Sequence, residues 1–428
     1  MDLQVAQPIT LPCGLTLSNR LLKSALAEAW CDEDHLPSLD LLQAYEAWAD
    51  GGWGMIITGN VLVDMNHLST PEDNALNTNI DSNMLLSRWR QWSKAISKGG
   101  TPGIVQVNHP GRQSISWAGH GGFFSKAVAP SAIRLDFGGG LLFGLVQRVM
   151  FGTPREMTEE DIANVVQRFA EIARISSAAG FSGVQIHAAH GYLLSQFLSA
   201  RSNHRKDQYG GTAPNRARIV LEVIRAMREV VPSEFCIGIK LNSADHQTTG
   251  EFEDCLQQLK LIAYAKVDFL EISGGTYETP TMLVETVTNE SVRTAAREAF
   301  FLDFAHAVRK LIPHVHLVVT RGFRTRRGME SAMREGGCDM VGIGRPAILN
   351  PALPSQLILN EEVRDDEAQL YARRIPSSWV ATKLGLLAVT GSSEIIWYQE
   401  MMRKMIDGRS NGGAQTTLGK LSKWLMLE

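Results

Sequence analysis

Cysteine is scarce, and no two of the five (Cys13, Cys31, Cys236, Cys255, Cys338) stand as C-x-x-C. That spacing argues against an iron–sulfur cluster, a zinc site and a disulfide framework, and no metal is expected. Charge of one sign is lacking too: 42 basic and 45 acidic residues leave a net −3. Nothing in that balance would draw the chain to nucleic acid or to an anionic membrane. The start, MDLQVAQPIT, has no basic segment followed by an apolar run, and the apolar stretch at 384–390 is too short to span a bilayer. The cytosol is therefore the expected compartment. Neither G-x-G-x-x-G nor G-x-x-x-x-G-K-S/T occurs. The fingerprints of a tightly held dinucleotide and of a P-loop are both missing.

What is present is an ordinary soluble composition, 44% hydrophobic and 20% charged, and a repeated alternation. Short apolar or β-branched runs at 21–26, 54–58, 103–108, 183–187, 236–241, 269–273, 315–320 and 340–343 predict eight strands. Amphipathic stretches at 38–50, 82–98, 158–179, 214–231, 252–265, 295–311 and 325–335 predict the helices between them. Thr158 with Asp161 forms the start of a capping box, and Gly180 and Gly336–Gly337 follow helix ends. Eight βα units favour a closed (β/α)8 TIM barrel over an open sheet. Residues 109–157 and 274–294 break the rhythm. They read as long βα excursions over the C-terminal face, 109–157 without a long helical period. The barrel is expected over 1–351, and 352–428 as a helical extension packed on it.

The densest chemistry lies in HAAHGYLLSQFLSARSNHRKDQYGGTAPNRAR, residues 187–218. His187 closes the fourth strand, and His190 and Tyr192 follow at the barrel mouth. Two imidazoles and a phenol so close together can bind an oxyanion and donate a proton. A second candidate site joins RGFRT (321–325) to GIGRP (342–346), after strands seven and eight. Barrels often hold phosphate there, with Gly322 and Gly344 baring backbone N–H groups and Arg345 adding charge.

The stretch H-x-x-H-G-Y-L-x-x-Q-F-L-S resembles the signature of the Old Yellow Enzyme family. Four further stretches match in order over roughly residues 8–350. The resemblance implies one FMN per chain. Ser24, Ala25, Leu26 and Ala27 would lie along the flavin, with Gly59 and Asn60 near its ring. Gln106 would bind its pyrimidine and Lys240 would sit near N1 and O2. Arg321, Gly322, Phe323, Gly344 and Arg345 would hold its phosphate. His187 and His190 would bind the substrate's carbonyl or nitro oxygen, and Tyr192 would protonate the substrate's Cα. His187 would also touch the pyrimidine. NADH or NADPH would reduce the flavin, and an electron-poor alkene (enone, enal or nitroalkene) would then be reduced by a ping-pong scheme. Two other uses of the same scaffold stay open: an NADH oxidase or quinone-type reductase, and a flavin-binding protein without turnover. At 27 many family members carry Thr or Cys where this chain has Ala, so flavin potential and oxygen reactivity are not carried over. The alkene and homo-oligomerisation are not specified by the sequence.

Overall fold

The computed structural model describes residues 3–121, 125–136, 141–243, 249–273, 304, 306–320, 322–373 and 387–410. Eight parallel strands form the barrel: β1 (Leu21–Lys23), β2 (Met55–Leu62), β3 (Gly103–Asn108), β4 (Gly183–Ala188), β5 (Cys236–Asn242), β6 (Phe269–Ser273), β7 (His316–Thr320) and β8 (Met340–Ile343). Each pairs with the next, and β8 pairs with β1, so the sheet closes on itself. Every strand expected from the alternation is present. The first ends earlier, at Lys23, and the second runs on to Leu62 past a register shift between Ile57 and Asn60.

Two apolar layers hold the barrel. Outside, the helices cover the strands with residues such as Trp48, Trp89, Phe169, Ile219 and Val308. Inside, the floor is filled by Leu22, Met55, Ile57, Ile104, Cys236, Phe269, Val318 and Met340. The Phe269 ring lies where a Cβ on Gly238 would be, 2.1 Å away, so only glycine fits there. An N-terminal hairpin, Ile9–Thr10 paired with Thr16–Leu17, adds Leu11 and Leu17 to this cluster and plugs the lower end.

Helix starts carry side-chain caps: Ser38 on α1 (Leu39–Ala49), Asp81 on α2 (Ser82–Ile96), and a full Thr158/Asp161 capping box on the helix Glu159–Ala178. The excursion 109–157 corrects the sequence reading, since Leu141–Phe151 forms a helix within it. Its sequence, LLFGLVQRVMF, is apolar nearly throughout, so no polar stripe betrays the 3.6-residue period. The second excursion, 274–294, lies outside the described residues. Over 352–428 the long helix Leu387–Ser410 packs on α1 and on the short helix Pro346–Leu349. No described helix is long and apolar enough to cross a membrane.

Candidate active site

The upper ends of the strands bring most of the expected residues together. His187 and Tyr192 are buried, and their rings meet edge to face at 4.8 Å. His190 stands beside them, its ring 5.0 Å from that of His187. Its backbone is left-handed, φ 59°, a conformation costly for a residue with a Cβ. Two side chains hold it there: Asn242 Oδ1 accepts from His190 N at 3.0 Å, and Gln113 Nε2 donates to His190 O at 3.0 Å.

Hydrogen bonds fix the tautomers. Burial, aided by the charge of Lys240, pushes the His187 imidazolium far below its usual range, so the ring is neutral. Ala189 N donates to its Nδ1 at 3.3 Å, which leaves the proton on Nε2. That proton faces His190 Nδ1 at 3.3 Å, and with His190 neutral its Nε2–H donates to Ser273 Oγ at 3.0 Å. The two imidazoles thus form a directed chain of donors.

Beneath them runs a second network. Lys240 Nζ lies 2.9 Å from Glu271 Oε1. Thr320 Oγ1 donates to the same oxygen at 2.5 Å, so Ser24 donates in turn to Thr320, at 3.0 Å. Gln185 Nε2 donates to Glu271 Oε2 at 2.6 Å, and Gln106 Nε2 to Gln185 Oε1 at 2.7 Å. Burial works against the Glu271 carboxylate, yet Lys240, Thr320 and Gln185 outweigh it and hold the group below its usual range. A neighbouring ion pair, Lys23 with Glu28 at 2.9 Å, is closed by Tyr45, whose hydroxyl donates to Glu28 at 2.9 Å.

The first-strand loop leaves Ala25 and Leu26 half-buried and Ala27 exposed. Gly59 gives its N–H to the Tyr45 hydroxyl at 2.9 Å, and its carbonyl accepts from Thr58 Oγ1 at 2.8 Å. A Cβ there would meet Glu28 Oε2 at 1.6 Å, so its role is steric. Gly322 takes φ 88° and Phe323 is buried. Gly344 has open space above it, with nothing nearer its absent Cβ than Leu26 at 3.6 Å. Arg321 lies outside the described residues. Arg345 departs from the expected picture: it is ion-paired with Glu394 of the helix Leu387–Ser410 and lies 5.9 Å from the Tyr398 ring. On the same helix, Gln399 Nε2 donates to Ala27 O at 3.2 Å.

Sequence reasoning missed Glu271, Gln185, Thr320, Ser273, Asn242 and Glu394. A signal existed for Glu271: a lone carboxylate inside the apolar run FLEIS, in direct register with Lys240. A further cluster, Asp64, His67 and His109, is compact. There Gly111 N donates to His109 Nδ1 at 2.9 Å. The neutral ring then carries its proton on Nε2 and offers a metal no lone pair.

The mouth fits a polar cofactor. Asn60 Oδ1 and both polar side-chain atoms of Asn108, at the upper ends of β2 and β3, are buried with no hydrogen-bond partner among the described residues. Buried polar groups of this kind need partners, and a polar heterocycle supplies them. A closed parallel barrel that gathers phenol, imidazoles and ammonium at its C-terminal mouth places them on the face where barrel enzymes carry their active sites.

Comparison with known proteins makes the assignment specific. The profile of the NADH:flavin oxidoreductase / NADH oxidase family matches residues 4–363, and the chain belongs to that family. FMN is therefore its cofactor and a nicotinamide nucleotide its co-substrate. It is 46% identical over 400 residues to the NADH-dependent flavin oxidoreductase iccE of Talaromyces variabilis, covering 93% of this chain and 97% of that one. It is 46% identical over 399 residues to iliE of Neonectria sp. (strain DH2), covering 91% of this chain but only 52% of that longer relative. Among solved structures, morphinone reductase superposes with TM-score 0.66 at 23% identity, over 83% of this chain and 89% of that one. An old yellow enzyme homologue from Zymomonas mobilis gives 0.66 at 22%, over 85% and 94%. These structural likenesses support the closed barrel fold.

Proposed function

We propose that this flavin oxidoreductase takes hydride from NADH or NADPH and reduces an electron-poor carbon–carbon double bond, in an enone, enal or nitroalkene, by a ping-pong scheme. The observation that carries the reading is the contact cluster of His187, His190 and Tyr192 at the barrel mouth. The substrate's carbonyl or nitro oxygen replaces the long 3.3 Å contact between the imidazoles. It accepts from His187 Nε2–H, and from His190 Nδ1–H once the His190 proton moves from Nε2 to Nδ1 and Ser273 Oγ–H donates to Nε2 in its place. Because His187 is held neutral, it polarises the oxygen without leaving a charge buried when substrate departs. Tyr192, against the His187 ring, supplies the proton to the carbon beside the carbonyl.

FMN, when bound, supplies the hydride acceptor and donor. Gln106 and Lys240 hold its pyrimidine, and His187 touches it. Ser24, Ala25, Leu26, Ala27, Gly59 and Asn60 border the ring. Arg321, Gly322, Phe323, Gly344 and Arg345 take the phosphate. Arg345 brings Glu394 with it, so the phosphate approaches a guanidinium already half neutralised. The division into a barrel, 1–351, and a C-terminal helical extension, 352–428, belongs to the same reading, supported by the packing of Leu387–Ser410 on α1.

A second reading has two observations in its favour. The exposed Ala27 offers no hydroxyl or thiol to the flavin, and a relative 29% identical over 80% of this chain is named NADH oxidase. Stopped-flow spectrophotometry separates the two. The protein is reduced anaerobically with NADH and mixed with cyclohexenone, a nitroalkene, a quinone or oxygen. Reoxidation by the alkenes at least tenfold faster than by oxygen and quinone is the expected result. The reverse order replaces the first reading with the second.

A further inference from the structure

We propose that Cys13 and Cys236 form an oxidisable thiol pair, a modification site for hydroperoxides that cross-links the N-terminal plug to the barrel wall. Cys13 sits at the tip of the hairpin, in a turn where Gly14 N donates to Leu11 O at 2.8 Å. Cys236 opens β5 and is buried in the barrel floor. Their sulfurs and the Asp268 carboxylate lie within 4.8 Å of one another. From such a separation the sulfurs need approach by less than about 3 Å to reach the S–S bond length of about 2.05 Å.

The trio is a poor metal site. Asp268 Oδ2 is held by Arg228 Nη2 at 2.5 Å and by Ile237 N at 2.7 Å. A guanidinium stands where a cation would have to come.

The two thiols differ in the way an attacking and a resolving cysteine must differ. Cys13 is half-buried and within reach of a small solute, whereas Cys236 is fully enclosed. The hydrogen bond from Cys236 pulls the Cys13 thiol below its ordinary range. Burial, with that same hydrogen bond, pushes Cys236 up. Burial also pushes Cys31, Cys255 and Cys338 up to about 12. Of the five, Cys13 alone is shifted toward the thiolate, the form that reacts.

The chemistry balances with hydrogen peroxide as oxidant. The Cys13 sulfur attacks one peroxide oxygen and the O–O bond breaks. The departing hydroxide takes a proton and leaves as water, and Cys13 is a sulfenic acid. The Cys236 sulfur then displaces the sulfenic oxygen, which leaves as a second water with the Cys236 proton, and the S–S bond forms. The two thiols lose two electrons and two protons, and one peroxide becomes two waters. The bond ties the plug to the strand that carries Lys240 and Asn242 at its other end. Closing so long a loop restricts the unfolded chain strongly.

The test uses FMN-loaded, dithiothreitol-reduced, desalted protein and one equivalent of hydrogen peroxide. Free thiols after denaturation should fall from five to about three, with intact mass lower by about 2 Da. A peptide pair joined through Cys13 and Cys236 should appear, and dithiothreitol should reverse all three changes. Melting temperature should rise by roughly 3–8 °C in the oxidised wild type, and not in Cys13→Ser or Cys236→Ser. Cys236→Ser should stop at a dimedone-trappable sulfenic acid on Cys13. Five surviving thiols would overturn the proposal, as would over-oxidation of Cys13 without a cross-link. Equal thiol loss in a folded Cys13→Ser variant would do the same.

Discussion

Replacing Glu271 by Leu tests the electrostatic centre of the barrel. The carboxylate is fully buried and accepts from Lys240, Thr320 and Gln185. Without it Lys240, 4% exposed, keeps an ammonium in the protein interior with its partner gone. Breaking a buried ion pair from one side costs about 3–5 kcal/mol. Each orphaned neutral donor adds about 1–3 kcal/mol unless it turns to another acceptor. The net expectation is a loss of roughly 4–6 kcal/mol, a large share of the 5–15 kcal/mol typical of a folded domain. Changing Lys240→Met as well removes the stranded charge, so the double variant should be about 2–4 kcal/mol more stable than the sum of the single losses implies. Urea unfolding of the apoprotein, followed by circular dichroism and tryptophan fluorescence, measures all four corners of the cycle. Single-variant losses that simply add, to within about 0.5 kcal/mol, would show that Lys240 and Glu271 do not act as a pair.

Tyr192→Phe should leave flavin reduction by NADH nearly unchanged and slow enone reduction by about 10²–10⁴-fold. Nitroalkene should still be consumed, with nitronate accumulating in the medium, because that anion can wait for water. Equal loss on both substrates in stopped-flow assays would make Tyr192 a positioning residue. Stability should also fall in acid. His187, and His109 held down to about 3 by burial and the nearby His67, are neutral when folded and take up protons near pH 6.5 when unfolded, so each loses about 1.4 kcal/mol per pH unit below that. Asp73, raised by burial to about 6, works the other way between about pH 6 and 4. A net slope of about 1.4 kcal/mol per unit should remain there in urea titrations, and a stability flat from pH 7 to 4.5 would contradict it. Glu394→Gln frees Arg345 from its carboxylate. FMN should then bind about three- to tenfold more tightly in fluorescence titrations, a modest gain because Arg345 is partly exposed and screened. Weaker binding would mean that Glu394 orients Arg345 for the phosphate.

The barrel was legible because each strand is a short apolar run bounded by turn residues, and each outer helix shows a clear polar face. The helix Leu141–Phe151 was not, since its sequence LLFGLVQRVMF is apolar nearly throughout and only Gln147 and Arg148 interrupt the run. At the site, the proximity of His187, His190 and Tyr192 was readable because they share six residues of chain. The partners of Lys240 and Arg345 were not. Glu271 meets Lys240 through the register of two neighbouring strands. Glu394 reaches Arg345 from a helix near the chain end, a tertiary contact with no local pattern. Gly59 was read as backbone for the cofactor, but its N–H belongs to Tyr45, whose approach is set by how α1 packs. The closeness of Cys13 to Cys236 was equally invisible, since only the plug brings the two together.

The chain of side chains from Gln106 through Gln185, Glu271, Lys240 and Thr320 to Ser24 draws on five of the eight strands and on the residue just past the end of β1. It works as a hoop inside the barrel, each dipole held by the next. When charge is placed on or removed from a ring above such a hoop, few groups are free to turn in response. In water the solvent would rearrange at every change of charge. Here the orientation is set once, at folding, and the reorganisation left for each catalytic cycle is small.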